Sequence, residues 1–388
     1  MEPPESQGRP DATARMTTYD PNFMRHMEAN HIYPPDHIHP DGREVEEPAN
    51  MSAIVEMLAK DRPSSPQVTK EEFREFVRGW RNISSGKGSN DLRKYFTQVL
   101  ELGGSEDSKC EVGFVFKDLA PMADSTGDVN PYRVAGAQPE SLDTGIRGKL
   151  NKHIRPSNQH ELIAPNFFLE LKAADGTSEM TLKGRVCYEG AIGARAMQTL
   201  RTYEQEKEQP VFDHNAYTIS VTLHDGVLNL YTHHVTDGEP RRYTTIRVAE
   251  YPMRFGQEHF QKGITAYRNA RDWAKKQRDE LIAAANSRER EGSRQQAAGS
   301  HVTPQYDATP NELEEKTQEL DQGEAGTDAT PEEDLAAPDE LKNGEKTQPS
   351  TTTAPASEPA RSQGNVSGRK RRSDAGSEAD RNKKARSI

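Results

Sequence analysis

The segment that most constrains the fold is Asn166-Phe167-Phe168-Leu169-Glu170-Leu171-Lys172. On a β-strand, residues i and i+2 share a face while i+1 takes the other. This run is apolar on both faces, so it has to be covered from above and below. A strand of that kind belongs near the middle of a layered α/β domain.

The flanking periodicities supply the layers. Thr69 and Glu72 form a capping-box pattern, followed by Phe73, Phe76, Val77 and Trp80 at helical spacing. Asn90 is placed to cap a second helix carrying Leu92, Tyr95, Phe96 and Val99. Val112 to Phe116 reads as a short strand, and 117–161 as a long polar stretch. Residues 179–203 read as a helix with Gly190 and Gly193 on its apolar stripe, which predicts a close approach to the sheet. Tyr217, Ile219, Val221 and Leu223 alternate up to the hairpin signal Asp225-Gly226. Two further strands, Val227–Val235 and Tyr243–Val248, complete an antiparallel meander, and a long helix with Phe260, Ile264, Tyr267, Ala274 and Leu281 closes the domain. The expected class is α/β (α+β), a mixed central sheet with a meander, flanked by helices.

Composition sets how far that domain extends. Of 388 residues, hydrophobic types make up 32% and charged types 29%, too little apolar surface to fill two domains. The expectation is an extended arm over 1–48, one folded domain over 49–288 and a disordered tail over 289–388. His26, His31, His37 and His39 in the arm could bind a metal as neutral imidazoles, but prolines interrupt them and a solvated or docked arm is the simpler reading. Cys110 and Cys187 form neither a disulfide framework nor a CxxC site. No apolar run reaches the roughly 20 residues of a membrane span, and the N-terminus lacks a signal-peptide pattern.

The tail carries Arg369-Lys370-Arg371-Arg372 and, after an acidic spacer, Lys383-Lys384-Ala385-Arg386. Two short basic clusters at this separation fit a bipartite nuclear import signal, with an import receptor as partner and the nucleus as destination. A basic tail that adheres to nucleic acid is the other reading.

Chemistry points back to the central strand. Glu170 and Lys172 project to one face of an otherwise apolar run. Buried opposite charges are costly unless they pair or bind something. A structural ion pair satisfies that requirement. So does a metal-dependent phosphodiesterase site, in which Glu170 and an earlier acid hold Mg²⁺ and Lys172 positions the attacking water. Glu111, opening the preceding strand, is the first choice for that acid, and Asp118 at the strand's other end is the second. Arg195 and Arg201, on or near the following helix, could contact phosphate, although exposed helix arginines are usually solvated. His233 and His234 alternate faces, and Asp213-His214-Asn215 reads as turn chemistry.

Ala164-Pro165-Asn166-Phe167-Phe168-Leu169-Glu170-Leu171-Lys172, with Cys187-Tyr188-Glu189-Gly190-Ala191-Ile192-Gly193-Ala194-Arg195-Ala196-Met197, resembles an uncharacterised family of fungal proteins. Its members share a PNFFLE-x-K strand and a Cys-Tyr-Asp/Glu-Gly-Ala helix. The resemblance spans roughly 50–285 and includes the stretch FDHNAYTISVTL at 212–223. That family in turn resembles the PD-(D/E)xK restriction-endonuclease-like superfamily, in which the strand after the first acid carries ExK and a helix follows. The resemblance implies Glu111 and Glu170 as metal ligands, Lys172 as the catalytic lysine, Mg²⁺ as cofactor and nucleic acid as substrate. Cys110-Glu111 replaces the usual Pro-Asp, and the helix holds Arg185 and Tyr188 without the glutamine of some members. These departures leave a non-cutting nuclease-fold binding or interaction module as the alternative.

Overall fold

The computed structural model describes residues 15–62, 67–84, 99–101, 109–171, 178–205 and 211–299. Its elements are α1 (Phe23–Ala29), β1 (Ile32–Tyr33), α2 (Met51–Ala59), α3 (Lys70–Ser84), β2 (Lys109–Val112), β3 (Arg133–Ala137), α4 (Thr144–Ile154), β4 (Ile163–Leu171), α5 (Glu179–Thr202), β5 (Thr218–His224), β6 (Val227–Thr236), β7 (Arg242–Pro252) and α6 (Gln257–Gly299). The expected helix over 90–99 falls mostly outside the described residues, as does the tail with both basic clusters.

Seven strands form one mixed sheet in the order β1-β7-β6-β5-β4-β3-β2. β4 runs parallel to β5, and β1 runs parallel to β7. The remaining neighbours are antiparallel. All nine residues of β4 are buried, as its two apolar faces require. α6 covers one face, where Phe167, Leu169 and Leu171 pack with Ile219, Val221, Phe260, Ile264 and Tyr267. α5 covers the other, where Phe168 and Val134 pack with Cys187, Tyr188, Ala191 and Ile192. Among the described residues no helix is long and apolar enough to cross a membrane.

Local chemistry explains the boundaries. Thr69 and Glu72 cap α3 reciprocally: the Thr69 amide donates to Glu72 Oε2 at 2.7 Å, and the Glu72 amide to Thr69 Oγ1 at 3.1 Å. Ser178 caps α5 by accepting from the Thr181 amide at 3.0 Å. Asp225 and Gly226, at φ 49° and 75°, make the two-residue turn between β5 and β6. Gly190 is required by contact: a Cβ there would lie 1.9 Å from His233 Nδ1.

Three expectations need correction. The polar stretch 117–161 holds a strand and a helix, β3 and α4. The arm is no separate extended piece from residue 15 on: Phe23, Met27 and Ile32 are buried in the α5-side core, and β1 adds to the sheet edge. The last helix runs to Gly299, beyond the expected boundary at 288.

Candidate functional site

Glu170 lies on β4 with no exposed surface. Its parity places it with Phe168 on the α5 side of the sheet. Both oxygens are engaged by protein donors: the Tyr132 amide donates to Oε1 at 2.6 Å, and Arg185 Nη1 to Oε2 at 2.8 Å. Arg185 sits on α5, and Glu189 follows it by four residues on the same helix. That spacing brings both onto one side of the helix. Glu189 is 1% exposed, and neither of its oxygens meets a nitrogen donor.

The outer side of Arg185 is covered by the arm. Its guanidinium lies 5.5 Å from the centre of the Tyr19 ring, and Nη2 donates to the Tyr19 hydroxyl at 3.3 Å. Burial pushes the Glu170 carboxyl up, against the pull of Arg185 and the Tyr132 amide. Burial pushes Glu189 well above the carboxylate range, and the neighbouring Glu170 adds to the shift. Two adjacent carboxyls beside one guanidinium therefore favour a single negative charge, with Glu189, which lacks the donors that Glu170 has, the more reluctant of the two to ionise. The cluster is close to neutral, which is how charge survives in a protein interior.

The structure does not bring the expected acids to Glu170. Glu111 on β2 lies opposite Val134 of β3, and β3 stands between β2 and β4. Two strand spacings, about 10 Å, separate the two backbones, so Glu111 is not the adjacent-strand partner expected. The reason is β3, whose short run Arg133-Val-Ala-Gly-Ala carries little strand signal. The residue that does face Glu170 from the neighbouring strand's start is Tyr132, through its amide. Asp118 accepts from the Asn158 amide at 2.6 Å, near the residues that lead into β4 and far upstream of Glu170. Lys172 lies outside the described residues. Among the described residues, no group of three or more His, Cys, Asp or Glu side chains is arranged to hold a metal ion.

Three of the four arm histidines, His31, His37 and His39, gather around the Tyr33 ring, while His26 bonds the Asp124 carbonyl at 2.7 Å. His37 stacks on Tyr33 at 4.6 Å between centroids, and His39 meets the same ring edge-on at 4.9 Å. Asp213 accepts from the Tyr217 hydroxyl at 2.6 Å and from the Asn215 amide at 3.1 Å, which is turn chemistry as read from the sequence. It also pairs with Arg201 at 3.5 Å. His233 faces α5 and bonds Thr245 at 3.1 Å, while His234 occupies the opposite face. Arg195 is not the solvated helix arginine expected but is 7% exposed.

Sequence reasoning missed Arg185 and Glu189 as partners of Glu170. A visible signal existed: two opposite charges four residues apart on a helix otherwise rich in Gly, Ala, Val and Ile.

No protein-family model matches the chain, and no solved structure matches it. One curated protein, a subunit of the aspartyl/glutamyl-tRNA(Asn/Gln) amidotransferase of Moraxella catarrhalis, is 32% identical over 126 residues. The match takes in 29% of this chain and 26% of that protein, so the chain spans about a quarter of the relative's length.

Proposed function

We propose that this chain is a nuclease-like module that acts in the nucleus by binding and does not cut nucleic acid. One observation carries the reading: both oxygens of Glu170 are committed to donors of the protein itself, Arg185 and the Tyr132 amide. A carboxylate held this way must break a buried ion pair before it can accept a cation. Breaking such a pair costs about 3–5 kcal/mol. The strand-then-helix order of β4 and α5, with ExK at the strand end, supports the nuclease-like part of the reading. The two basic clusters of the tail support the nuclear part. The amidotransferase match is too partial to bring that protein's activity to this chain.

A catalytic reading retains one specific observation. Glu189 supplies a second carboxyl beside Glu170, in place of Glu111. It would act only if Arg185 swung away. Cleavage assays on DNA and RNA with Mg²⁺ or Mn²⁺ decide between the two. Wild type, Glu170→Gln and Glu189→Gln are expected to be equally inactive. Metal-dependent cutting that disappears in either variant would overturn the binding reading. A reporter fused to residues 366–388 should enter the nucleus, and one that stays cytoplasmic removes the localisation.

A further inference from the structure

A cavity of about 720 Å³ opens on the α6 side of the sheet, by the end of β7. Its walls are the end of α2 with Leu58 and Ala59, Asp61 just beyond it, the strap that carries Val68, Tyr251 of β7, and the first turns of α6. Protein interiors close over such a space unless something holds it open. Here two glutamines do so. Gln257 and Gln261 stand about one turn apart on α6, and both reach the backbone of Val68. Gln257 Nε2 donates to the Val68 carbonyl at 2.8 Å, and the Val68 amide donates to Gln261 Oε1 at 2.6 Å. Gln261 is itself fixed, since its Nε2 donates to Thr265 Oγ1 at 3.3 Å. The backbone of the strap is thus held one glutamine side chain away from the backbone of α6. The space that results falls within the roughly 300–1,000 Å³ of sites that enclose small molecules.

The lining decides what fits. Leu58 and Val68 belong to the apolar core and Tyr251 packs against it, so the inner surface suits an apolar body. Most polar groups of the wall are already engaged. The glutamines hold the strap, and Lys262 donates to Glu258 at 2.8 Å. Two groups are not engaged. Among the described residues, the Asp61 carboxylate forms no ion pair and the Tyr251 hydroxyl no hydrogen bond. Arg62, next to Asp61 in sequence, pairs instead with Asp272 at 2.8 Å. With Lys262 and Glu258 cancelling, Asp61 leaves the lining with a net negative charge.

We propose that this cavity binds a small amine with an apolar body, the body against Leu58, Val68 and Tyr251 and the ammonium at Asp61. An ammonium complements an unpaired carboxylate and is also drawn to the face of an aromatic ring. The Tyr251 hydroxyl can accept one of its protons. A carboxylate ligand of the same shape would meet Asp61 as a like charge. The site shares no residue with the Glu170 cluster, so it does not depend on whether that cluster cuts.

Titration of the full chain with tryptamine and with indolepropionate near neutral pH, followed by calorimetry and by melting temperature, tests the site. The two probes share a ring system and differ in the sign of their charge. Tryptamine should bind wild type and raise its melting temperature, and indolepropionate should bind at least tenfold more weakly. Asp61→Asn should weaken tryptamine at least tenfold. Ala59→Trp, which sets a large side chain into the lining, should abolish its binding. Both positions are exposed, so without probe the two variants should melt as wild type does. Absence of tryptamine binding in wild type would overturn the proposal. Binding that survives Ala59→Trp, or equal affinity for the two probes, would do the same.

Discussion

The two faces of β4 and β5 solve the same problem in different ways. Toward α6 the strands present Phe167, Leu169, Leu171, Ile219, Val221 and Leu223, all buried in one apolar cluster. Toward α5 they present Phe168 and Glu170 with Thr218, Ser220 and Thr222. Thr218 Oγ1 and Ser220 Oγ have no protein hydrogen-bond partner there. The α6 face is held mainly by apolar area, with one buried polar link where Arg278 donates to Asn166 Oδ1 at 2.9 Å. The α5 face is held by close approach of a Gly- and Ala-rich helix and by one ion pair. Its polar rows contribute little to stability and leave room for specific chemistry.

The contrast can be broken first at Arg185. Arg185→Met leaves Glu170 buried without its cation and should cost about 3–5 kcal/mol in chemical denaturation. Adding Glu170→Gln to that variant should recover more than half of the loss. No recovery would mean that Arg185 acts through packing alone. On the other face, Leu169→Ala should cost about 3 kcal/mol through lost burial and a residual cavity, whereas Ser220→Ala should change stability by less than about 1 kcal/mol. Equal costs for these two would dissolve the distinction between the faces. Gly190→Ala tests close approach directly. With His233 Nδ1 at 1.9 Å from the new methyl, overpacking should cost about 2 kcal/mol, read as a lower denaturation midpoint.

The last contrast concerns protons. Glu189 keeps its proton in the native state above the ordinary glutamate value of 4.5. The unfolded chain releases that proton as pH rises past the same value. Stability should therefore fall with rising pH, by about 1.4 kcal/mol per unit, until the native carboxyl itself ionises. Glu189→Gln should flatten this slope and melt higher than wild type near neutral pH. Melting curves at several pH values between about 5 and 8 would show it, and parallel slopes for the two proteins would place Glu189 in its ionised form.

The apolar face was legible in the sequence and much of the polar face was not. Phe167, Leu169 and Leu171 alternate on a strand, and Phe260, Ile264 and Tyr267 repeat at helical intervals, so pattern alone places them. The capping box at Thr69 and the Asp225-Gly226 turn were readable because their chemistry is local. β3 was hidden because Arg133-Val-Ala-Gly-Ala is short, small and surrounded by Pro, Asp and Ser. Losing that strand moved Glu111 one place too close to Glu170. The pairing of Glu170 with Arg185 depends on how α5 rotates over the sheet. Gly190 and Gly193 set that rotation through contact with His233, Thr218 and Phe168, which lie far from them in sequence.

The arm adds a consequence for how the protein is made. Ile32 and Tyr33 pair with Tyr243 and Thr244, so β1 waits for a partner translated about 210 residues later. At ordinary elongation speeds that wait is roughly 10–40 s. Phe23 and Met27, buried in the finished protein, wait for a shorter time, until the core residues between Phe114 and Ile192 have been made. Within this domain the arm is thus made early and settles late. Until those partners are made, the arm leaves Phe23, Met27 and Ile32 open to a chaperone.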